Sequence, residues 1–155
     1  VVSAIIDHNQ QNYGTEQTQF LVADITNSDL PGADLIVCRD CWVHLSLWDV
    51  NHALERFKLS GSKYLLTTTY PETVVNQDTP TGSWRGLNLS LPPFNFPPPL
   101  RLIPDPSDDT HANADKSLGL WQLEDLSLFT VARWSSPQMM LVSLIRKYIN
   151  SSWQL

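Results

Sequence analysis

Ala33 to Ser46 reads ADLIVCRDCWVHLS, and the fold turns on how that stretch is read. Leu35-Ile36-Val37 is a short continuous apolar run that stops at Arg39 and Asp40. A strand buried on both faces has this composition, because neither side meets water. His44 follows four residues after Asp40. Ser46-Leu47-Trp48-Asp49 then sets a hydroxyl three residues ahead of a carboxylate, the pattern of a helix capping box. A strand that delivers polar groups just ahead of a helix is where open α/β sheets hold ligands.

Working outward, Val50, Ala53, Leu54 and Phe57 fall on one face at helical spacing, and Gly61 stops the helix. Lys63 to Thr69 follows as a strand, with Tyr64-Leu65-Leu66 buried and three threonines favouring extended backbone. Upstream, Val1 to Tyr13 has the apolar spacing of a helix that Gly14 ends. Phe20 to Ala23 is an apolar run closed by Asp24, so a further strand is predicted there. Asn27 to Gly32 has loop chemistry. Helices alternating with strands imply a parallel sheet with helices on its faces.

The character changes after Tyr70. Nine of the 11 prolines lie between Tyr70 and Pro106, and proline cannot donate to a sheet ladder. Residues 70–115 are therefore predicted to form a Pro-rich lid or substrate excursion, packed down by Phe94 and Phe96, with Asp105 to Asp115 a polar loop. Lys116 to Leu126 is expected to run from a strand into a short helix. Phe129 to Ile149, broken at Ser135-Ser136-Pro137, is expected to supply antiparallel edge strands. The first residue is Val1, so the 155 residues are read as a single partial domain whose N-terminal part lies upstream.

Hydrophobic residues make up 42% and charged residues 17%, the balance of a globular chain. The formal net charge of -6 argues against non-specific nucleic-acid binding, which needs a basic surface. No apolar run is long enough to cross a bilayer, and no signal peptide is evident. Two cysteines do not make a disulfide framework. Together these features predict a cytoplasmic protein without membrane association.

Several polar groups are candidates for chemistry, each with a plainer reading beside it. Asp24 caps a turn or accepts from a ligand donor. Arg39 and Asp40 form an ordinary ion pair with His44 opening a helix, or Asp40 and His44 orient and deprotonate a nucleophile. Cys38 and Cys41 form a C-x-x-C, which is either thiol–disulfide chemistry or two buried thiols. With no second C-x-x-C, no metal site is expected. Asn76, Asp78, Trp84, Arg85 and Asn88 sit in one predicted loop and either hold it or line a substrate pocket.

FLVADIT (Phe20 to Thr26), LPGADLIVCRDCWVHLS (Leu30 to Ser46) and KLSGSKYLLTTTYP (Lys58 to Pro71) come in this order, followed by NQDTPTGSWRGLNLSLPPFNFP (Asn76 to Pro97) and KSLGLWQLEDL (Lys116 to Leu126). Over about Val1 to Leu126 the chain resembles the class I S-adenosylmethionine-dependent methyltransferases. The resemblance implies a seven-stranded Rossmann-like sheet, mostly parallel with an antiparallel C-terminal edge, and with its N-terminal strands missing here. Phe20 to Asp24, Asp34 to Cys38 and Lys63 to Thr69 would be its third, fourth and fifth strands.

The same resemblance sets Asp24 on the adenine of S-adenosylmethionine, with Ile25 against the ring. It sets Arg39 and Asp40 beside the methionine part and the methyl group, and His44 toward the substrate. The family's glycine-rich loop and ribose-binding acid would lie upstream of Val1. The function implied is methyl transfer by the full-length parent to a small-molecule or protein substrate, the fragment alone being inactive. A non-catalytic Rossmann-like interaction domain and a C-x-x-C dithiol redox protein are the alternatives.

Overall fold

The computed structural model describes residues 2–105 and 114–130. Leu35–Cys38 forms strand β1, as its apolar run predicts. Helix α2 spans Leu47–Leu59 and starts at the predicted cap, where the Asp49 N–H donates to Ser46 Oγ at 3.1 Å. The reciprocal arm of the box runs through the loop. The Ser46 N–H donates to Thr81 Oγ1 at 2.9 Å, and the Thr81 hydroxyl donates to the Asp49 carboxylate.

Val50, Ala53, Leu54 and Phe57 are all buried, as the spacing requires. Arg56 and Lys58 in the last turn complement the helix dipole. Gly61, at φ +74°, takes the left-handed conformation that ends the helix without a Cβ penalty. The chain returns as β2, Tyr64–Thr69, parallel to β1 with Leu35 opposite Tyr64 and Cys38 opposite Thr67.

Two further strands complete a four-stranded sheet of order β1-β2-β4-β3. Strand β3 is Arg101–Pro104 and β4 is Ser117–Gln122. Strand β4 runs antiparallel to β2 and to β3. The domain is thus a small α/β unit on an open mixed sheet, with one parallel pair and two antiparallel ones. The expectation of a mostly parallel sheet does not hold for the described residues.

Antiparallel strands do occur, but they come from residues 101–104 and 117–122. Residues 131–149 of the expected edge strands lie outside the described residues, as do residues 106–113 of the expected polar loop. Lys116 to Leu126 follows its reading, with β4 passing into a short 3₁₀ turn at Leu123–Asp125.

Two corrections concern the flanks. Phe20 to Asp24 forms no strand, and Leu21 and Val22 are exposed. A strand needs a neighbour to take up its N–H and C=O groups, and β1, the end strand of the sheet, is paired only with β2. Helix α1, Ser3–Tyr13, forms where expected but buries none of its side chains.

The Pro-rich stretch was expected to lie over the core, yet it supplies part of it. Leu87, Leu89, Phe94 and Phe96 are buried in the same cluster as Trp42, Phe57, Leu65 and Trp121. Phe96 stands edge-on between Trp42 and Trp121, at ring separations of 6.4 and 5.7 Å. The Trp121 indole donates to the Pro97 carbonyl at 2.7 Å. Prolines keep most of this segment out of the ladder, so it closes the α2 side of the sheet as irregular backbone.

The opposite face carries Leu35, Val37 and Ile103, all exposed. Helix α2 is tied to the end of β4 by Lys58, whose ammonium donates to the carbonyls of Leu123 and Leu126, each at 2.6 Å.

Candidate functional site

Strands β1 and β2 end side by side, and the polar residues that follow them meet there. After Cys38 the chain turns through Arg39 and Asp40, and Asp40 has φ +52°. A residue with a Cβ holds the left-handed region only when its surroundings impose it, at a cost on the order of 1–3 kcal/mol.

The threonines of β2 do the imposing. The Asp40 N–H donates to Thr68 Oγ1 at 2.8 Å, and the Thr67 hydroxyl donates to the Cys38 carbonyl at 2.9 Å. Both threonines are buried. The threonine run thus serves as a clamp on the β1 turn as well as a strand former.

An ion cluster closes over this turn. The Lys116 ammonium, 3% exposed, lies 2.7 Å from Asp40 Oδ2 and 3.3 Å from Asp105 Oδ2. Arg39 reaches Asp105 with two nitrogens, Nε to Oδ2 at 2.8 Å and Nη2 to Oδ1 at 3.1 Å. Its Nη1 is 3.6 Å from Asp40 Oδ2.

The Arg39 hydrogen bond holds the Asp105 carboxyl below the usual carboxylate range, with Lys116 adding to the effect. Burial opposes the charged form of Lys116, but the hydrogen bonds to Asp40 and Asp105 prevail and its pKa rises. Burial also pushes the Tyr70 phenol up, so its hydroxyl stays protonated. The Asp40 side chain keeps 38% of its surface open to solvent. The result is an anchored carboxylate at the sheet end, charge-balanced from beneath and reachable from outside.

His44 ends a 3₁₀ turn at Trp42–His44 and is exposed. Its Nδ1 is 3.1 Å from the Ser83 carbonyl. A carbonyl only accepts, so this contact assigns the proton to Nδ1 and leaves Nε2 as the basic nitrogen. His44 joins no member of the ion cluster by a hydrogen bond or ion pair among the described residues.

The five loop residues divide. The Asp78 carboxylate accepts from the Leu47 N–H at 2.8 Å and so caps α2. Asn76 donates to the carbonyls of Asn88 and Pro92, each at 2.8 Å, and accepts from the Asn88 N–H. Asn88 donates to the carbonyls of Pro71 and Thr73. Arg85 Nη1 donates to the carbonyls of Trp42 and Val43, each at 3.0 Å. Burial lowers the Arg85 pKa, and its Nη2 is buried without a partner among the described residues. These four side chains brace the loop onto the core. Trp84 braces nothing by hydrogen bond among the described residues; it is half exposed and stands edge-on to Tyr70 at 5.9 Å.

Asp24 and Ile25 lie in a separate turn. Asp24 Oδ1 accepts from the Thr26 N–H and hydroxyl at 2.9 and 2.8 Å, and these bonds lower its pKa. Its Oδ2 takes neither bond. Ile25 is half-buried against the core.

The structure therefore unites Arg39 and Asp40 with Lys116 and Asp105, two residues the sequence reading did not single out. The only hint lay in their positions, each charged and flanking a strand. Among the described residues no group of three or more His, Cys, Asp or Glu side chains is arranged to hold a metal ion. No family model, curated protein or solved structure matches the chain.

Proposed function

We propose that this chain belongs to an S-adenosylmethionine-dependent methyltransferase and carries the methyl-acceptor side of its site. The observation that carries this reading is Asp40. It is an anchored, solvent-reachable carboxylate in a left-handed turn where two parallel strands end. Ligands in open α/β sheets bind beyond such strand ends. The parallel pair, with the antiparallel β4 next to β2 on the C-terminal side, agrees with the fourth and fifth strands of a Rossmann-like methyltransferase sheet.

The cofactor would supply a sulfonium methyl group already activated for displacement. Asp24 and Ile25 would hold its adenine and Arg39 would lie along its methionine part. The 155 residues contain no glycine-rich loop of the kind that cradles this cofactor.

The chain's own residues would do positional and proton work. Asp40, fixed by Thr68 and Lys116, orients the acceptor and takes its proton. His44 presents Nε2 as a second acceptor for that proton. Trp84, half exposed, offers a flat wall to the substrate. Orientation of this sort supplies a large share of a displacement barrier. A small molecule or a protein side chain are both admissible acceptors.

Exposed Leu35, Val37 and Ile103 favour the second reading, a non-catalytic interaction domain that uses the open sheet face.

Calorimetry of the complete protein with S-adenosylhomocysteine separates the two. The methyltransferase reading expects saturable binding that Asp24→Ala weakens by roughly 10-fold, the loss of one charge-assisted hydrogen bond. An absence of binding overturns it.

A further inference from the structure

Cys38 and Cys41 are the only cysteines in the chain, and methyl transfer uses neither. Cys38 closes β1 and is 6% exposed. Cys41 is half-buried and precedes the 3₁₀ turn that leads to α2. Arg39 and Asp40 between them form a turn, with Asp40 at φ +52°.

A four-residue turn brings its end Cα atoms within about 7 Å, and a disulfide spans roughly 4.4–6.8 Å between Cα atoms. Cys38 and Cys41 flank the two-residue turn of Arg39 and Asp40, so the chain reversal sets the two residues side by side. Both ends are anchored. The Thr67 hydroxyl holds the Cys38 carbonyl, and the His44 N–H donates to the Cys41 carbonyl at 3.0 Å.

We propose that Cys38 and Cys41 form a reversible intramolecular disulfide across the turn that carries Arg39 and Asp40. The two thiols have different parts. The neighbouring Cys38 thiol lowers the Cys41 pKa below the usual thiol value, so Cys41 ionises the more readily of the two. Cys38, beside Cys41 and buried, is pushed upward and stays protonated. Cys41 is therefore the attacking sulfur and Cys38 the resolving one.

The oxidant is a hydroperoxide. The Cys41 thiolate attacks a peroxide oxygen, the O–O bond breaks, and the departing alkoxide takes a proton to leave as an alcohol (water, for hydrogen peroxide). Cys41 is then a sulfenic acid. Cys38 gives up its proton and attacks the Cys41 sulfur. The S–S bond forms, the S–O bond breaks, and water leaves. Two thiols have lost two electrons, and the peroxide has gained them. A dithiol reductant reverses the change by exchange. The closed ring encloses Arg39 and Asp40, so oxidation fixes the turn on which the ion cluster is built.

The test is to treat the reduced protein with hydrogen peroxide at neutral pH, alkylate it, and measure its intact mass and peptide masses. The expected product is monomeric, two hydrogen masses lighter than the reduced chain, and unalkylated at both cysteines. Dithiothreitol restores alkylation at both. Cys41→Ser should leave Cys38 reduced and alkylatable, whereas Cys38→Ser should trap an oxidised Cys41 that cannot close a ring. The proposal fails if the treated wild-type protein alkylates fully at both positions. It fails equally if the only disulfide links two chains, or if Cys41 goes to the sulfinate with Cys38 still free.

Discussion

Lys116 Nζ lies 2.7 Å from Asp40 Oδ2, with the lysine side chain 3% exposed and the aspartate 38% exposed. The pair joins the residue before β4 to the second residue after β1, 76 positions apart in sequence. It explains how a charged residue in a left-handed turn is kept in place. The carboxylate is pulled from below by a buried ammonium, while its own N–H is fixed by Thr68.

Lys116→Met should therefore destabilise the fold and loosen the Arg39–Asp40 turn. Breaking a fully buried pair costs about 3–5 kcal/mol. Solvent at Asp40 and the remaining Arg39 contact reduce that here to roughly 1–3 kcal/mol. Urea denaturation measures the change. A variant within error of the wild type would show that Lys116 does not anchor the turn.

The Asp105 carboxyl titrates below its ordinary value because Arg39 hydrogen-bonds to it. A depressed carboxylate stabilises the fold above its unfolded pKa of about 3.9, and that contribution is lost as pH falls through the lower folded value. Asp105→Asn should thus be less stable than the wild type by roughly 1–2 kcal/mol at neutral pH, allowing for the exposure of Arg39. The gap should stay level down to about pH 5 and shrink below pH 4. Urea midpoints across that range test it, and a gap that does not narrow in acid contradicts the pairing.

Gly119 sits in β4 under the ring of Trp121, and a Cβ there would overlap the indole. The ring cannot swing away easily, since it is buried and its N–H is bonded to Pro97. Gly119→Ala should cost about 1–3 kcal/mol by overpacking and red-shift tryptophan emission as the ring is displaced. Unchanged stability and emission would mean that the indole has room to move.

The parts of the fold legible in the sequence were those decided locally. The cap at Ser46, the buried face Val50-Ala53-Leu54-Phe57 and the paired runs of β1 and β2 each follow from spacing within a few residues. Phe20 to Ala23 misled because an apolar run reads as a strand whether or not a neighbour exists to pair with it.

Arg101–Pro104 was hidden for the opposite reason. The prolines around it suggested an excursion, yet Pro104 ends the strand and takes a place at the sheet edge, where no donor is needed. The site was half legible. Arg39 and Asp40 announced themselves by ending an apolar run. Lys116 and Asp105 did not, since their meeting depends on β4 running antiparallel to β2 with Ser117 opposite Thr69. Asn76, Asp78, Arg85 and Asn88 had the composition of a pocket, but each of these side chains hydrogen-bonds to the backbone.

The central claim is that one ligand lies along the strand ends, from the Asp24 turn to the Arg39–Asp40 turn. Hydrogen–deuterium exchange of the complete protein, with and without saturating S-adenosylhomocysteine, tests it directly. The account predicts slowed exchange concentrated in two segments of this chain, residues 24–28 and 39–44. Binding without protection in those segments, or protection confined to the exposed sheet face of Leu35 and Val37, would contradict it.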